Sequence, residues 1–214
     1  IDHFRGFEAF WEIPGGETTA MNGKWVKGPD QHIFEVLFER MGRLPIIAED
    51  LGVITPPVEA LRDRFEFPGM RILQFAFGND DRAAEFRPES YPAHCCVYTG
   101  THDNDTTVGW FNSQAGAGST RTQEQIDAER KVILDYLGTD GREIQWDLIN
   151  LGSRSNANTF VVPLQDLLGL GSEARMNTPG VAGGNWQWRF AWDQLTDEIR
   201  DRFAYVTRST GRMH

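Results

Sequence analysis

Short apolar runs alternate with amphipathic helical stretches along this chain, and that alternation leaves few folds open. Leu44-Pro45-Ile46-Ile47-Ala48, residues 70–77, Cys95-Cys96-Val97-Tyr98-Thr99 and Thr159-Phe160-Val161-Val162-Pro163 read as strands. Before the first of them, residues 30–41 place Ile33, Phe34, Leu37, Phe38 and Met41 on one helical face. Thr55 stands as an N-cap before Pro56 at a first helical position, with helix to Phe65. Thr122 and Gln125 form a capping box for a helix that Gly138 ends. Residues 143–151 and 197–207 are also helical in pattern, the last with Ile199, Phe203 and Val206 inward. Continuous apolar strands separated by helices need a parallel sheet covered on both faces. A doubly wound sheet and a (β/α)8 barrel both satisfy this. Charged residues stationed just past the carboxy ends of strands favour the barrel, whose βα loops build the site there.

Counting a strand expected before Asp2, about five of the eight barrel strands are accounted for. The expected fold is therefore α/β, the carboxy-terminal part of a (β/α)8 barrel with its first strands missing. Residues 1–214 are read as one half of a catalytic barrel with βα-loop insertions and no separate second domain. Gly169 to Gly184 is rich in Gly, Asn, Thr and Pro, but Trp186, Trp188, Phe190 and Trp192 follow at alternating positions, so the tail is expected to pack.

The 214 residues carry a net charge of −10, which argues against nucleic acid or an anionic membrane as partner and points to a neutral ligand. The 214 residues hold no apolar run long enough for a membrane span, and neither a span nor a signal peptide is expected. Cys95 and Cys96 are adjacent, where pairing to each other is strained, so reduced, buried thiols and a cytoplasmic setting are expected.

The candidate chemistry rests on Asp2, Glu49 and Asp103. A retaining glycosidase needs one ionised carboxylate to attack the anomeric carbon and one protonated carboxyl to serve the leaving oxygen, roughly 5–5.5 Å apart. Acids delivered by neighbouring strand ends meet that requirement, although an isolated Asp or Glu past a strand is more commonly a cap or ion-pair partner. His102 beside Asp103 raises the question of a metal. The other histidines, His3, His32, His94 and His214, include no helical i, i+4 pair, and no metal or other cofactor is expected. The Asp103-Asn104-Asp105 triplet lacks the Gly and distal Glu of a calcium loop. Trp11, Trp25, Trp110, Trp186 and Trp188 read first as core residues, with sugar stacking as the alternative for a few.

The strings Ile1-Asp2-His3-Phe4-Arg5-Gly6-Phe7, Trp11-Glu12-Ile13-Pro14-Gly15-Gly16-Glu17-Thr18-Thr19-Ala20 and Gly23-Lys24-Trp25-Val26-Lys27-Gly28-Pro29 occur in order. Ile46-Ile47-Ala48-Glu49-Asp50-Leu51-Gly52-Val53-Ile54-Thr55-Pro56 and Tyr98-Thr99-Gly100-Thr101-His102-Asp103-Asn104-Asp105-Thr106 follow, then residues 163–171 and 175–180. Together they resemble the 4-alpha-glucanotransferases, the amylomaltases or disproportionating enzymes of glycoside hydrolase family 77. The likeness runs through almost the whole chain and is to the carboxy-terminal half of such enzymes.

The resemblance implies a barrel of the alpha-amylase clan that moves alpha-1,4-glucan segments between maltooligosaccharides. It makes Asp2 the nucleophile, Glu49 the general acid/base and Asp103 the transition-state stabiliser, assisted by His102. The loop carrying Trp11 and the segment carrying Arg175 and Asn177 are expected to bind substrate and shelter the acceptor subsites. The family's Arg two residues before the nucleophile falls outside this chain. Asp30 stands where Gly is expected and is assigned a capping role, and residues 153–158 are less familiar. The 214 residues alone are expected to be inactive, completing the site only with an amino-terminal half of the barrel. A non-catalytic glucan-binding fragment and an alpha-glucan hydrolase stay open as alternatives.

Overall fold

The computed structural model describes residues 1–116 and 121–212, and the chain divides into two units, Ile1–Met70 and Arg71–His214. His214 and residues 117–120 lie outside the described residues.

Phenylalanine packing organises the first unit. Helix α1 (Arg5–Glu8) leads into strand β1 (Ala9–Glu12), which pairs antiparallel with β2 (Lys24–Lys27), Trp11 facing Trp25. Helices α2 (Gln31–Met41) and α3 (Pro56–Arg64) follow. Phe34 of α2 is fully buried and meets Phe4, Phe7, Phe65 and Phe67 at ring separations of 5.0–5.6 Å. Removing such a ring from a packed core costs about 3–5 kcal/mol. The apolar stripe of residues 30–41 turns Ile33, Phe34, Leu37 and Phe38 toward Ala48, Val58 and Leu61 as expected, but Met41, at the helix end, is 63% exposed.

Asp30 and Thr55 stand at the N-cap positions expected of them, but neither makes a side-chain cap, for backbone reasons. Asp30 has φ +52° and makes no side-chain cap; its carboxylate pairs with Lys27 at 3.0 Å. A side-chain cap needs a β-region backbone, which Asp30 lacks. Thr55 has that backbone but also makes no side-chain cap, because Pro56 and Pro57 remove two of the N–H groups that begin the helix; its carbonyl accepts from Val58 N instead, at 2.9 Å. Residues 44–48, read as a strand, are not one. Ala48 N donates to Pro68 O and Glu49 N to Ile1 O, both at 2.9 Å, but these bonds do not repeat into a ladder.

The chain enters the second unit along β3 (Gly69–Ile72), which is shorter than the expected residues 70–77: a 3-10 turn takes over at Leu73–Ala76. Beyond it come β4 (Cys95–Tyr98), α4 (Thr107–Phe111), α5 (Gln123–Leu137), α6 (Ile144–Ser153), β5 (Thr159–Val161), α7 (Leu164–Leu167) and α8 (Asp197–Ser209). The strands lie in the order β3–β4–β5, and β4 and β5 are parallel with Val97 opposite Phe160. Helices intervene between these two parallel strands, so this part has the expected α/β pattern. Leu73, Phe77, Cys95, Val97, Ile133, Ile144 and Leu148 form the main core of this unit.

Helix termini here follow their local signals. The Thr122–Gln125 capping box is present in both directions, and Gly138 ends α5 with φ +65° in the left-handed region. Helix α8 turns Ile199, Phe203 and Val206 toward Trp146 and Ile149 of α6, as its spacing predicts. The aromatic tail packs only in part: Trp188 and Phe190 are half-buried and stacked on each other, whereas Trp186 is 54% exposed and Trp192 79% exposed. Both cysteines are buried and neither is in a disulfide, and burial pushes the Cys96 thiol up. No helix among the described residues is long and apolar enough to cross a membrane.

Candidate active site

In the first unit, Asp2 and Glu49 meet at a single backbone donor. His3 N donates to Asp2 Oδ1 at 3.1 Å and to Glu49 Oε2 at 2.7 Å. Sharing one N–H places these two oxygens within about 6 Å of each other, which accommodates the ~5–5.5 Å carboxyl separation of a retaining pair. The backbone bends sharply to present that amide, since His3 has φ +48°. Such a conformation is uncommon outside glycine and is retained where surrounding contacts impose it. Here Phe4 N donates to Glu49 O at 3.0 Å and Glu49 N to Ile1 O at 2.9 Å, fastening the two acidic segments side by side. The other oxygen of Glu49 accepts from Leu51 N at 2.9 Å. Asp2 is exposed and Glu49 half-buried.

Beneath these acids the same unit is braced by charge. Arg5, buried, lies over the Trp25 ring at 4.0 Å and donates to Val53 O in the loop after Glu49. Asp50 accepts from Arg62 Nη1 at 2.5 Å and from Met70 N at 2.7 Å. Burial opposes the charge on Arg62, but its hydrogen bonds to Asp50 and Asp63 outweigh that and raise its pKa. Trp11 stands on the exposed hairpin, 39% exposed, edge-on to Trp25 at 5.3 Å, with its indole N–H on Ala20 O at 2.9 Å. It is thus not a core residue.

The second unit brings His102, Asp103, Arg175 and Asn177 together. Asp103 Oδ1 accepts from Asn177 Nδ2 at 2.5 Å, and Asp103 O from Arg175 Nη2 at 2.7 Å. Arg175 Nε also donates to Asn177 O at 2.8 Å, while Asn177 N donates to His102 O at 3.1 Å. His102 Nε2 lies 3.5 Å from Asp103 Oδ1, and its ring packs on Trp186 at 5.0 Å between centroids. Arg175 therefore braces the Asp103 backbone, a part its expected substrate-binding role did not include. A cavity of about 180 Å³ opens beside this cluster, lined among others by His102, Asp105, Gln165, Asp166, Arg175 and Trp186.

The acid-bearing loop is also supported from below. Asp166 is 1% exposed and accepts from Thr99 Oγ1 at 2.5 Å, Thr107 N at 2.6 Å and Thr107 Oγ1 at 2.9 Å. Burial raises its pKa, the hydrogen bonds from Thr99 and Thr107 oppose the rise, and the Asp105 charge adds to it. Sequence reasoning passed over His3 and Asp166. His3 acts through its amide, which no residue type signals, whereas Asp166 had one cue: an acid three residues past an apolar strand run. Among the described residues, no group of three or more His, Cys, Asp or Glu side chains is placed to hold a metal ion.

Comparison with known proteins bears on what these two clusters do. The family model described as 4-alpha-glucanotransferase, glycoside hydrolase family 77, matches residues 1–196. A 4-alpha-glucanotransferase of Synechocystis is 51% identical over 99% of this chain, which covers 40% of that protein. One of Thermus thermophilus is 48% identical over 100% of this chain and 42% of its own length. The chain thus spans about two fifths of the length of these relatives. An amylomaltase of Streptococcus agalactiae, solved in complex with acarbose, superposes on 100% of this chain and 41% of its own with a TM-score of 0.87 at 33% identity. The amylomaltase of Corynebacterium glutamicum, 18% identical, shares the fold with a TM-score of 0.70.

Proposed function

We propose, since this chain belongs to glycoside hydrolase family 77, the 4-alpha-glucanotransferases, that the protein carrying it transfers alpha-1,4-glucan segments between maltooligosaccharides with retention of configuration. The observation that carries this reading is the shared His3 amide, which brings an oxygen of Asp2 and one of Glu49 together and so supports the close spacing that a covalent mechanism needs. In the first step Asp2 attacks the anomeric carbon while the Glu49 carboxyl passes its proton to the glycosidic oxygen. The bond to the leaving glucan breaks as the glucosyl–Asp2 ester forms. In the second, the ionised Glu49 takes the proton of an acceptor 4-hydroxyl, whose oxygen displaces Asp2 and regenerates the alpha linkage. Charge and atoms balance across the two steps, and Glu49 ends protonated as it began.

Asp103, assisted by His102, is assigned to the hydroxyls of the reacting sugar, where hydrogen bonds strengthen as oxocarbenium character develops. Asn177 and Arg175 fix Asp103 in that task, which their hydrogen bonds to it support. Trp11 and Trp186, both exposed aromatics, are assigned to sugar stacking. We read both units as parts of one catalytic (β/α)8 barrel, a reading supported by the parallel β4–β5 pair and by Asp103 lying in the loop after β4. The two buried cysteines, neither in a disulfide, support a cytoplasmic setting.

The test is to express the protein in its full coding context, with and without Glu49→Gln, and to follow glucose and longer maltooligosaccharides formed from maltotriose. A ladder of longer products, lowered about 10²- to 10⁴-fold in the variant, is the expected result. Glucose without longer products would make it a hydrolase, and an unimpaired variant would remove Glu49 from the acid/base role.

A further inference from the structure

We infer that Asp166 is a positioning residue for Asp103 and His102, holding both ends of the loop that carries them; this rests on the glucan-transfer reading of that loop. Thr99 follows the last residue of β4, and Thr107 opens α4, so residues 100–106 hang between them. The single Asp166 carboxylate takes hydrogen bonds from Thr99 Oγ1, Thr107 N and Thr107 Oγ1. Both threonines are fully buried and Asp166 is 1% exposed, so water cannot replace these bonds without opening the core. Three donors converge there, and a carboxylate, which offers acceptors only, matches them.

The suspended loop is cross-linked within itself and tied to its surroundings. Thr101 N and Oγ1 both donate to Asn104 Oδ1 at 2.8 Å, and Asp103 N donates to Thr101 Oγ1 at 3.2 Å. Gln74 Nε2 donates to Asp105 O at 3.0 Å, and Ser172 Oγ to Asp105 Oδ2 at 2.6 Å. Through the bonds among Thr101, Asp103 and Asn104 a shift at Thr99 reaches Asp103, while the Gln74 and Ser172 bonds to Asp105 limit its size. The segment that follows Asp166 also supplies Arg175 and Asn177, so one stretch of chain grips the loop at its two ends and at its acid. Asp166 itself makes its bonds to threonines and not to His102 or Asp103, which makes its effect one of placement. Misplacing a reacting group by about 1 Å costs on the order of 10²-fold in rate.

The experiment compares Asp166→Asn, Thr99→Val and Thr99→Ser by kcat and KM for maltotriose and by hydrogen exchange over residues 99–107. For Asp166→Asn and Thr99→Val, kcat is expected to fall about 10- to 100-fold with KM within about twofold. Exchange should quicken over residues 100–106 while α5 and α6 keep their protection, and Thr99→Ser, which retains the hydroxyl, should restore most of kcat. Should Asp166→Asn fail to fold, the valine and serine variants decide between them. Wild-type kcat and exchange in Thr99→Val would overturn the inference, as would protection lost equally across α5, α6 and the loop. A wild-type protein that transfers no glucan would defeat the functional reading alone, since the exchange pattern still reports whether Asp166 positions the loop.

Discussion

Replacing Asp50 with alanine should destabilise the first unit by about 3 kcal/mol, and the structure shows where that figure comes from. The Asp50 side chain is 2% exposed and that of Arg62 17% exposed, so the pair is largely shielded from water. Alanine removes a charge-assisted bond worth about 1.5–3 kcal/mol and takes an acceptor from Met70 N, which adds about 1–3 kcal/mol. Against this, Arg62 keeps Asp63, which it reaches at 2.8 and 2.9 Å, so its charge is not wholly stranded. The full cost of about 3–5 kcal/mol for breaking a buried pair is therefore an upper bound. Asp50→Asn keeps an oxygen for Met70 N and should cost only about 1–2 kcal/mol. Equilibrium urea unfolding, followed by tryptophan fluorescence, separates the two variants. Equal losses would show that the Met70 bond contributes nothing; losses below about 1 kcal/mol in both would show that the buried pair is not the brace argued for here.

Thr122→Ala should lower stability by about 1 kcal/mol in thermal melts, because it removes the side-chain half of the α5 capping box; no change would mean the box is dispensable. Gly109→Ala should cost about 1–3 kcal/mol and also lower transfer, since a Cβ there would lie 2.4 Å from Ser172 Oγ and 2.7 Å from Asp105 Oδ1. An alanine variant with wild-type melting and turnover would show that this close packing relaxes freely. Arg202 donates to both oxygens of Glu143, at 2.6 and 2.9 Å, and these bonds lower its pKa below the ordinary 4.5. Their stabilisation is therefore present above the ordinary value and lost as pH falls through the folded one. Glu143→Gln should be less stable than wild type at neutral pH by under about 1 kcal/mol, because both partners are well exposed, and equal to it in acid. A gap that widens toward acid would reverse the assigned sign.

How much was legible depended on how far apart the participating residues lie. The α5 box joins residues three apart, and the inward face of α8 repeats every three or four, so local pattern sufficed for both. The same locality misled at Thr55 and Asp30, where residue type suggested a cap but two prolines and a positive φ changed what the backbone offered. Residues 44–48 have the composition of a strand without its ladder, since ladder bonds belong to the neighbour as much as to the run itself. The exposed Trp186 and Trp192 show the limit of reading aromatic content as burial.

Asp2, Glu49 and Asp103 could be nominated from sequence because each sits in a long distinctive string. How they are held could not. His3 N reaches Glu49 across 46 positions, Thr99 reaches Asp166 across 67, and Asn177 reaches Asp103 across 74. Residue types and their short-range periodicity thus located α2, α3, α5, α6 and α8 and the two ends of α5, because those properties are settled within a few residues of chain. Which amide a carboxylate shares, and which buried acid clamps a loop, were decided only by tertiary structure, because those bonds exist only once the folded path brings distant segments within about 3 Å of one another.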